Sequence, residues 1–176
     1  SPLDMSKISD RDFAKRTVNI NMQKGEINMF EMFGDVEDEI DIFNINLNKL
    51  KLMVERWYDL DGMDANIIRG LLEDMLIQFY KDKGMWKDNA SERRDELKIV
   101  GIPHRQVPRL QEFQLYIDQK NKSIQSNTTA EFDHKAIRVL RNAFTNMLNS
   151  HGHLFNNYTS PKVDNIKEKQ RVVYDI

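Results

Sequence analysis

The sequence predicts a mainly α-helical protein, built as a helical bundle of four to five helices with a small N-terminal β-hairpin or extended arm. Two long segments, residues 64–83 and 130–149, carry apolar residues at helical spacing on one face. A third segment, residues 36–57, repeats apolar residues at alternating intervals of four and three, and it contains neither glycine nor proline. We therefore expect helices to dominate the fold.

The length and composition indicate a folded protein. A chain of 176 residues fits one domain, or one domain with an extended arm. The hydrophobic fraction of 40% and the charged fraction of 31% are those of folded rather than disordered proteins. Because the chain has no cysteine, disulfides and thiolate metal sites are excluded. The net charge of -2 argues against a globally basic nucleic-acid-binding surface, but it is compatible with a local basic face.

The sequence also bears on compartment and source. It has no apolar run long enough for a membrane helix, and its first residues lack the apolar core of a secretion signal. We therefore expect a cytoplasmic protein with no membrane partner. Asparagine, isoleucine, lysine and aspartate are abundant while alanine and glycine are scarce, which is typical of AT-rich genomes such as those of many phages and viruses. For a viral source, a virion-associated location replaces the cytoplasmic one.

Four helices follow from periodicity and from residues that start or stop a helix. The segment 64–83 has Asp64 as an N-cap and Gly84 as its stop, and the segment 130–149 is stopped by Gly152. Two shorter helices are also predicted. Ser91 caps one that carries Leu97 and Val100, and Pro108 takes the first position of another that carries Leu110, Phe113 and Ile117.

Residues 36–57 form the most informative predicted helix. A strand reading competes locally, because apolar and polar residues alternate from Ile45 to Leu52 with Asn48-Lys49 as a turn. We favour a helix, since the heptad seam is unbroken through seven positions. Apolar residues beyond the seam indicate contacts on more than one side, with the helix's own domain and with a second chain. The predicted interface residues are Ile40, Phe43, Leu47, Leu50, Val54 and Trp57.

The predicted organisation has three parts. Residues 1–34 form an N-terminal arm or hairpin, residues 35–155 the helical domain, and residues 156–176 an extended C-terminal tail. An alternating segment before the turn at Gly25, and residues 26–33 after it, predict the two strands of the hairpin. The tail is assigned because it is polar and lacks a long apolar stripe.

Several groups of residues partly match metal sites, but each match is incomplete. Residues 59–64 lie between two predicted helices as a calcium loop would. Counted from Asp59, however, Met63, Asp64 and Gly70 stand where the loop needs an oxygen ligand, glycine and glutamate. A connector with Asp64 as the N-cap of the next helix explains these residues. We therefore expect no calcium site here.

Three further groups lack the partners that a metal site needs. In the run Asp95-Glu96-Leu97-Lys98, Glu96 and Lys98 match the acid-x-Lys element of metal-dependent nucleases, without a second carboxylate on a neighbouring strand. The histidines fall at opposite ends of one helix, roughly 25 Å apart at 1.5 Å per residue. Glu37 and Asp41 share a helix face, but helix N-termini normally attract such acids. The three histidines are His134, His151 and His153.

Basic residues form a candidate nucleic-acid-binding face. If four arginines lay on one face they would hold phosphates, and Trp86 or Tyr116 would stack a base. The simpler reading is that these arginines lie on solvated faces interleaved with acids. The four are Arg105, Arg109, Arg138 and Arg141.

We expect a non-enzymatic helical assembly or adaptor protein that acts through protein–protein contacts. No phosphate-binding glycine loop or serine nucleophile motif is present, so no cofactor, metal or catalytic residue is assigned. The expected partner is a second copy or another protein, in the manner of a phage or viral structural or accessory subunit. The alternative is a nucleic-acid-binding accessory protein using the arginine face, and the third hypothesis is a metal-dependent hydrolase or nuclease.

Overall fold

A computed structural model describes residues 24–57, 65–125 and 131–164 of the chain. Within these ranges the protein is helical and contains no strand, which confirms the predicted fold class. Three single-turn 3₁₀ helices accompany the α-helices, at Val36–Asp38, Arg94–Glu96 and His104–Gln106.

Four α-helices have both ends within the described ranges: α1 (Glu39–Trp57), α2 (Ala65–Asp82), α3 (Leu110–Gln125) and α4 (Glu131–Phe155). Residues 162–164 are also helical. Helices α3 and α4 form the closest pair, α2 packs against both of them, and α1 packs chiefly against α2. Helix α1 therefore stands at the edge of the bundle.

Side-chain bonds show that α3 and α4 run antiparallel. Gln114 Nε2 donates to Thr145 Oγ1 at 3.1 Å, and the Arg141 guanidinium donates to the Asp118 carboxylate at 2.6 Å. Since the partner on α4 moves back along the chain as the residue on α3 moves forward, the two helices point in opposite directions.

Aromatic side chains from three helices and from the segment before α1 fill the centre of the core. Phe30, which precedes α1, lies 5.8 Å from Phe79 and 5.4 Å from Phe113, measured between ring centroids. Phe113 lies 4.9 Å from Phe144 in an edge-to-face arrangement. Such edge-to-face pairs add stabilisation beyond the area they bury.

The segment 26–33 differs from its predicted structure. It carries no strand; instead, residues 27–32 are buried as an irregular segment within the helical core. The other predicted limb of the hairpin lies outside the described residues. An apolar, partly alternating pattern fits a buried irregular segment as well as a strand, and only the helices around it decide between the two.

Asn28 ties this segment to the C-terminal part of the chain. Its backbone N–H donates to Thr159 Oγ1 at 3.0 Å, and its side-chain amide donates to the Pro108 carbonyl oxygen at 2.9 Å. The Ser160 N–H donates to the Glu26 carbonyl oxygen at 2.7 Å. The described parts of the predicted arm and tail therefore lie on the same packed body as the helices.

Helix α1 is helical throughout, and the alternative strand with a turn at Asn48-Lys49 is wrong. The predicted interface residues Phe43, Leu47, Leu50 and Val54 lie in the chain's own core, each no more than 2% exposed. Ile40 is half-buried against that core, while the side chain of Trp57 lies outside the description. The central positions of the seam are therefore occupied by contacts within the chain, whereas Val36 at its start is 69% exposed.

Helix α2 ends as predicted. Gly84 has a positive φ of 74°, its N–H donates to the Lys81 carbonyl at 2.9 Å, and the Met85 N–H donates to the Tyr80 carbonyl at 2.9 Å. These two bonds form a Schellman motif, which satisfies carbonyl groups that the helix end would leave free. The predicted N-cap, Asp64, lies outside the described residues.

The predicted helix after Ser91 is wrong, and the predicted end of α4 is right only in part. The helix expected after Ser91 is a single 3₁₀ turn, because Arg93 before it and Leu97 after it have non-helical backbone angles. The regular part of α4 is interrupted at His151, which has non-helical backbone angles next to the predicted stop at Gly152, and a further helical turn then runs to Phe155. The additional turn is anchored by the buried ring of Phe155.

Candidate functional site

The outer face of α1 is the first candidate surface. Asp41, Ile45, Asn48, Leu52 and Arg56 follow one another at intervals of four and three residues and are all exposed. We call these five residues the α1 outer face. Ile45 and Leu52 are 55% and 60% exposed, and at seven residues apart they lie about 10 Å from each other on one side of the helix. Two large aliphatic side chains therefore face solvent on an edge helix.

Charges are arranged at the two ends of this face. Asp41 lies one turn before Ile45, and Arg56 lies one turn after Leu52. Among the described residues neither has an ion-pair partner, whereas the neighbouring Glu55 is paired with Arg69 of α2. The face therefore presents an acid, two aliphatic groups and a base in order.

A small cavity near the start of α3 is the second candidate surface. It has a volume of about 160 Å³. The guanidinium carbon of Arg109 lies 4.1 Å from the centroid of the Tyr158 ring, and that of Arg105 lies 5.9 Å from the same centroid. We call this cavity, together with Arg109, the basic cleft. It is lined by Lys83, Met85, Arg105, Gln106, Val107, Pro108, Glu112 and Tyr158.

The start of α3 accounts for the position of Arg109. The Glu112 carboxylate accepts the backbone N–H of Arg109 at 2.5 Å, and the Arg109 carbonyl accepts the N–H groups of Glu112 and Phe113. This is half of a capping box with Arg109 at the N-cap. Pro108 therefore lies before the helix rather than at its predicted first position.

His104 lies beside the basic cleft and bridges two carboxylates. Its Nδ1 is 2.8 Å from the buried Glu31 carboxylate, and its Nε2 is 2.9 Å from Asp164. Burial alone would lower the pKa of His104, but hydrogen bonds and charges from Glu31 and Asp164 outweigh it and raise the pKa. Since ionised carboxylates only accept hydrogen bonds, both ring nitrogens must donate, so the bridge holds the imidazolium form.

The four arginines of the predicted nucleic-acid face do not come together. Arg105 and Arg109 contact the same tyrosine ring, but Arg141 pairs with Asp118, which lies about 13 Å along α3 from Arg109. Arg138 is exposed one turn before Arg141 on α4, still farther from the cleft. Arg105 and Arg109 therefore lie at the cleft, whereas Arg138 and Arg141 lie on a different part of the surface.

The predicted stacking rings are occupied within the fold. Trp86 stacks on Phe43 with ring centroids 3.8 Å apart and planes within 9° of each other. Tyr116 packs beside Phe79 and Phe113, and the Lys120 amine lies over its ring. Both rings therefore pack against other side chains of the fold, at the core or at its margin.

The partial metal motifs gain no support from the structure. In the described ranges no three histidine or acidic side chains are grouped so that they could hold a metal ion. Asp95 is exposed on a 3₁₀ turn rather than a strand, and Lys98 is also exposed. Residues 59–64, the connector that partly matches a calcium loop, lie outside the description.

Lys83 and Tyr158 are parts of the cleft that sequence reasoning missed. Lys83 follows the last residue of α2, and Tyr158 belongs to the segment predicted as an extended tail. Neither stands in a periodic pattern or a motif. Only the packing of the C-terminal segment against the start of α3 brings these side chains together, so no local signal could have found them.

Comparisons of the chain with protein-family models, curated proteins and solved structures found no match. Among the helices of the described ranges, none combines the length and apolar character that crossing a bilayer requires.

Proposed function

We propose that this protein is a non-enzymatic assembly protein that pairs with a second copy of itself through the α1 outer face. The observation that carries the proposal is the exposure of Ile45 and Leu52 on one side of an edge helix whose other side is already buried. The viral or phage setting indicated by composition fits a structural or accessory subunit of this kind.

The order of residues on the face favours an antiparallel pair. If a twofold axis passes between Asn48 and Lys49, Ile45 of one copy lies opposite Leu52 of the other. The same axis places Asp41 opposite Arg56, so both ends of the pair join opposite charges. A twofold interface must be self-complementary in this way, since the same patch serves both copies.

The expected dimer is reversible. Two aliphatic side chains per copy make a small apolar centre, and interfaces below about 1,200 Å² belong to weak or transient complexes. We expect a dissociation constant on the order of micromolar, which corresponds to about 8 kcal/mol of binding free energy. The two ion pairs set the register of the helices and add little affinity, because they are exposed to solvent.

Sedimentation over a wide range of concentrations tests the proposal. Wild-type protein should pass from monomer to dimer, and the double variant Ile45→Lys with Leu52→Lys should remain monomeric because four ammonium groups then meet at the interface. Both positions are exposed, so the variant should unfold at close to the wild-type temperature.

A matched control exists in the same chain. Ile67→Lys with Leu115→Lys introduces the same charges at exposed aliphatic positions, 44% and 54% exposed, on α2 and α3. It should dimerise like wild type. A wild type that stays monomeric at every concentration contradicts the proposal, and so do two double variants that behave alike.

A further inference from the structure

We propose that the basic cleft binds a phosphate group. This inference concerns a second surface, and it does not depend on pairing through α1. It rests on uncompensated positive charge in a concave site, on the stacking of Arg109, and on the size of the cavity.

The positive charge of the cleft is not neutralised within the described part of the chain. Lys83 and Arg105 line the cavity and Arg109 lies beside it, yet no described carboxylate forms an ion pair with any of the three. Glu112 is the one acidic residue in the lining, and its carboxylate accepts the Arg109 backbone N–H. Lys83 and Arg105 are exposed and Arg109 is half-buried, and three cations around one small concave site attract an anion.

The contacts of Arg109 suit its guanidinium group to binding an oxyanion. Arg109 lies 4.1 Å from the Tyr158 ring centroid, a cation–π contact that restricts the plane of its guanidinium group. Its Nε atom is buried and has no hydrogen-bond partner among the described residues. That atom is enclosed by protein and Arg109 does not itself line the cavity, so an anion in the cavity would accept from the terminal N–H groups of the guanidinium, in the forked geometry that arginine prefers.

The size of the cavity favours one small anionic group over a whole ligand. Its volume of about 160 Å³ is below the roughly 300–1,000 Å³ of typical ligand pockets. A phosphate fits this description, and its two negative charges suit three cations better than one carboxylate does. Inorganic phosphate, a nucleotide and a single nucleic-acid strand all present this group.

Binding measurements with three probes test the site and identify the source of the phosphate. The probes are inorganic phosphate, adenosine monophosphate and a short oligothymidylate, each titrated by calorimetry at low salt. Lys83→Gln with Arg105→Gln should weaken binding on the order of tenfold or more, since it removes two charge-assisted contacts. Both residues are exposed, so the variant should remain folded, and thermal unfolding checks this.

The control removes equal charge elsewhere. Lys122→Gln with Arg138→Gln takes two cations from exposed positions away from the cleft, and it should change each affinity by less than about twofold because these side chains make no direct contact with a ligand in the cleft. Similar affinities for all three probes identify phosphate itself as the ligand. Tighter binding of the oligothymidylate, with a steep loss of affinity in salt, identifies a nucleic-acid strand.

Two results would overturn the proposal. One is that none of the three probes binds at low salt. The other is that the cleft variant and its control weaken binding equally, because the attraction would then come from overall charge rather than from this cavity.

Discussion

At the scale of single residues, buried polar groups join parts of the chain that are far apart in sequence. The Tyr80 hydroxyl donates to the Phe30 carbonyl oxygen at 2.9 Å and accepts from the Asn46 side-chain amide at 2.9 Å. Burial raises the pKa of Tyr80, so the hydroxyl keeps its proton. The Lys49 amine donates to the Met29 carbonyl at 3.1 Å, and burial lowers the pKa of Lys49 to about 8. The bonds to Phe30 and Met29 fix the segment before α1 against α2 and α1, and the bond from Asn46 joins α1 to α2.

His104 gives a residue-scale prediction about pH. Its pKa is raised in the folded protein, so the bridge to Glu31 and Asp164 stabilises the fold fully below the unfolded pKa of about 6.5. This contribution is lost as pH rises through the folded pKa. The thermal midpoint of wild type should therefore exceed that of His104→Asn at pH 6, and the difference should shrink above neutrality.

The exposed His153 provides the control for this measurement. Replacing His153 with asparagine should leave the pH profile of the midpoint unchanged, because the side chain of His153 forms no such bridge among the described residues. A gap between wild type and His104→Asn that stays constant from pH 6 to pH 8 would falsify the imidazolium assignment.

How far the sequence could group the candidate residues depended on whether they share a local segment. Arg105 and Arg109 are four residues apart, and both lie against the Tyr158 ring. Arg138 and Arg141 were joined to them without a local reason, and the antiparallel packing of α3 and α4 places them elsewhere. Tyr158 lies some fifty residues along the chain from Arg109 and carried no sequence signal.

At the scale of elements, periodic segments were predictable and irregular ones were not. Helix α2 agrees with its predicted bounds within one residue at each end, because a long apolar stripe and Gly84 point to the same answer. The predicted helix after Ser91 failed because its short apolar pattern had no long stripe to support it. The buried segment 27–32 was read as part of an arm, since an irregular segment has no period to reveal its burial.

Gly70 within α2 and Gly84 just after its end give a prediction at the scale of elements. An added Cβ meets no atom within 4 Å at Gly70 or at Gly84, so any difference between them comes from backbone conformation. Gly84→Ala forces alanine to the positive φ of 74° and should destabilise the fold by about 1–2 kcal/mol. Gly70→Ala lies within the helix and should stabilise it by about 0.5–1 kcal/mol.

Denaturant unfolding of both variants measures these changes directly. The midpoint of Gly84→Ala should fall and that of Gly70→Ala should rise, with slopes equal to that of wild type. If the two substitutions shift the midpoint in the same direction, the backbone conformation at the end of α2 does not set the stability difference between them, and the role assigned to Gly84 is contradicted.

At the scale of the whole molecule, α1 is an edge element with apolar residues on two faces. The inner seam from Phe43 to Val54 closes the chain's own core, while Ile45 and Leu52 remain outside it. The sequence showed that this helix has more apolar residues than one face can use. It could not show which of the two sets is internal, because both follow a seven-residue repeat and only the position of α2 distinguishes them.

The most direct test of pairing through α1 is an exchange of charges at the ends of its outer face. In the antiparallel dimer, Asp41→Arg places arginine opposite Arg56, and Arg56→Asp places aspartate opposite Asp41. Each single change creates two like-charge contacts by symmetry, so sedimentation should show dimerisation weakened on the order of tenfold. The double exchange should restore the wild-type dissociation constant within about threefold, because every pair is again complementary. A double variant that dimerises no better than the singles, or singles that match wild type, would contradict the account.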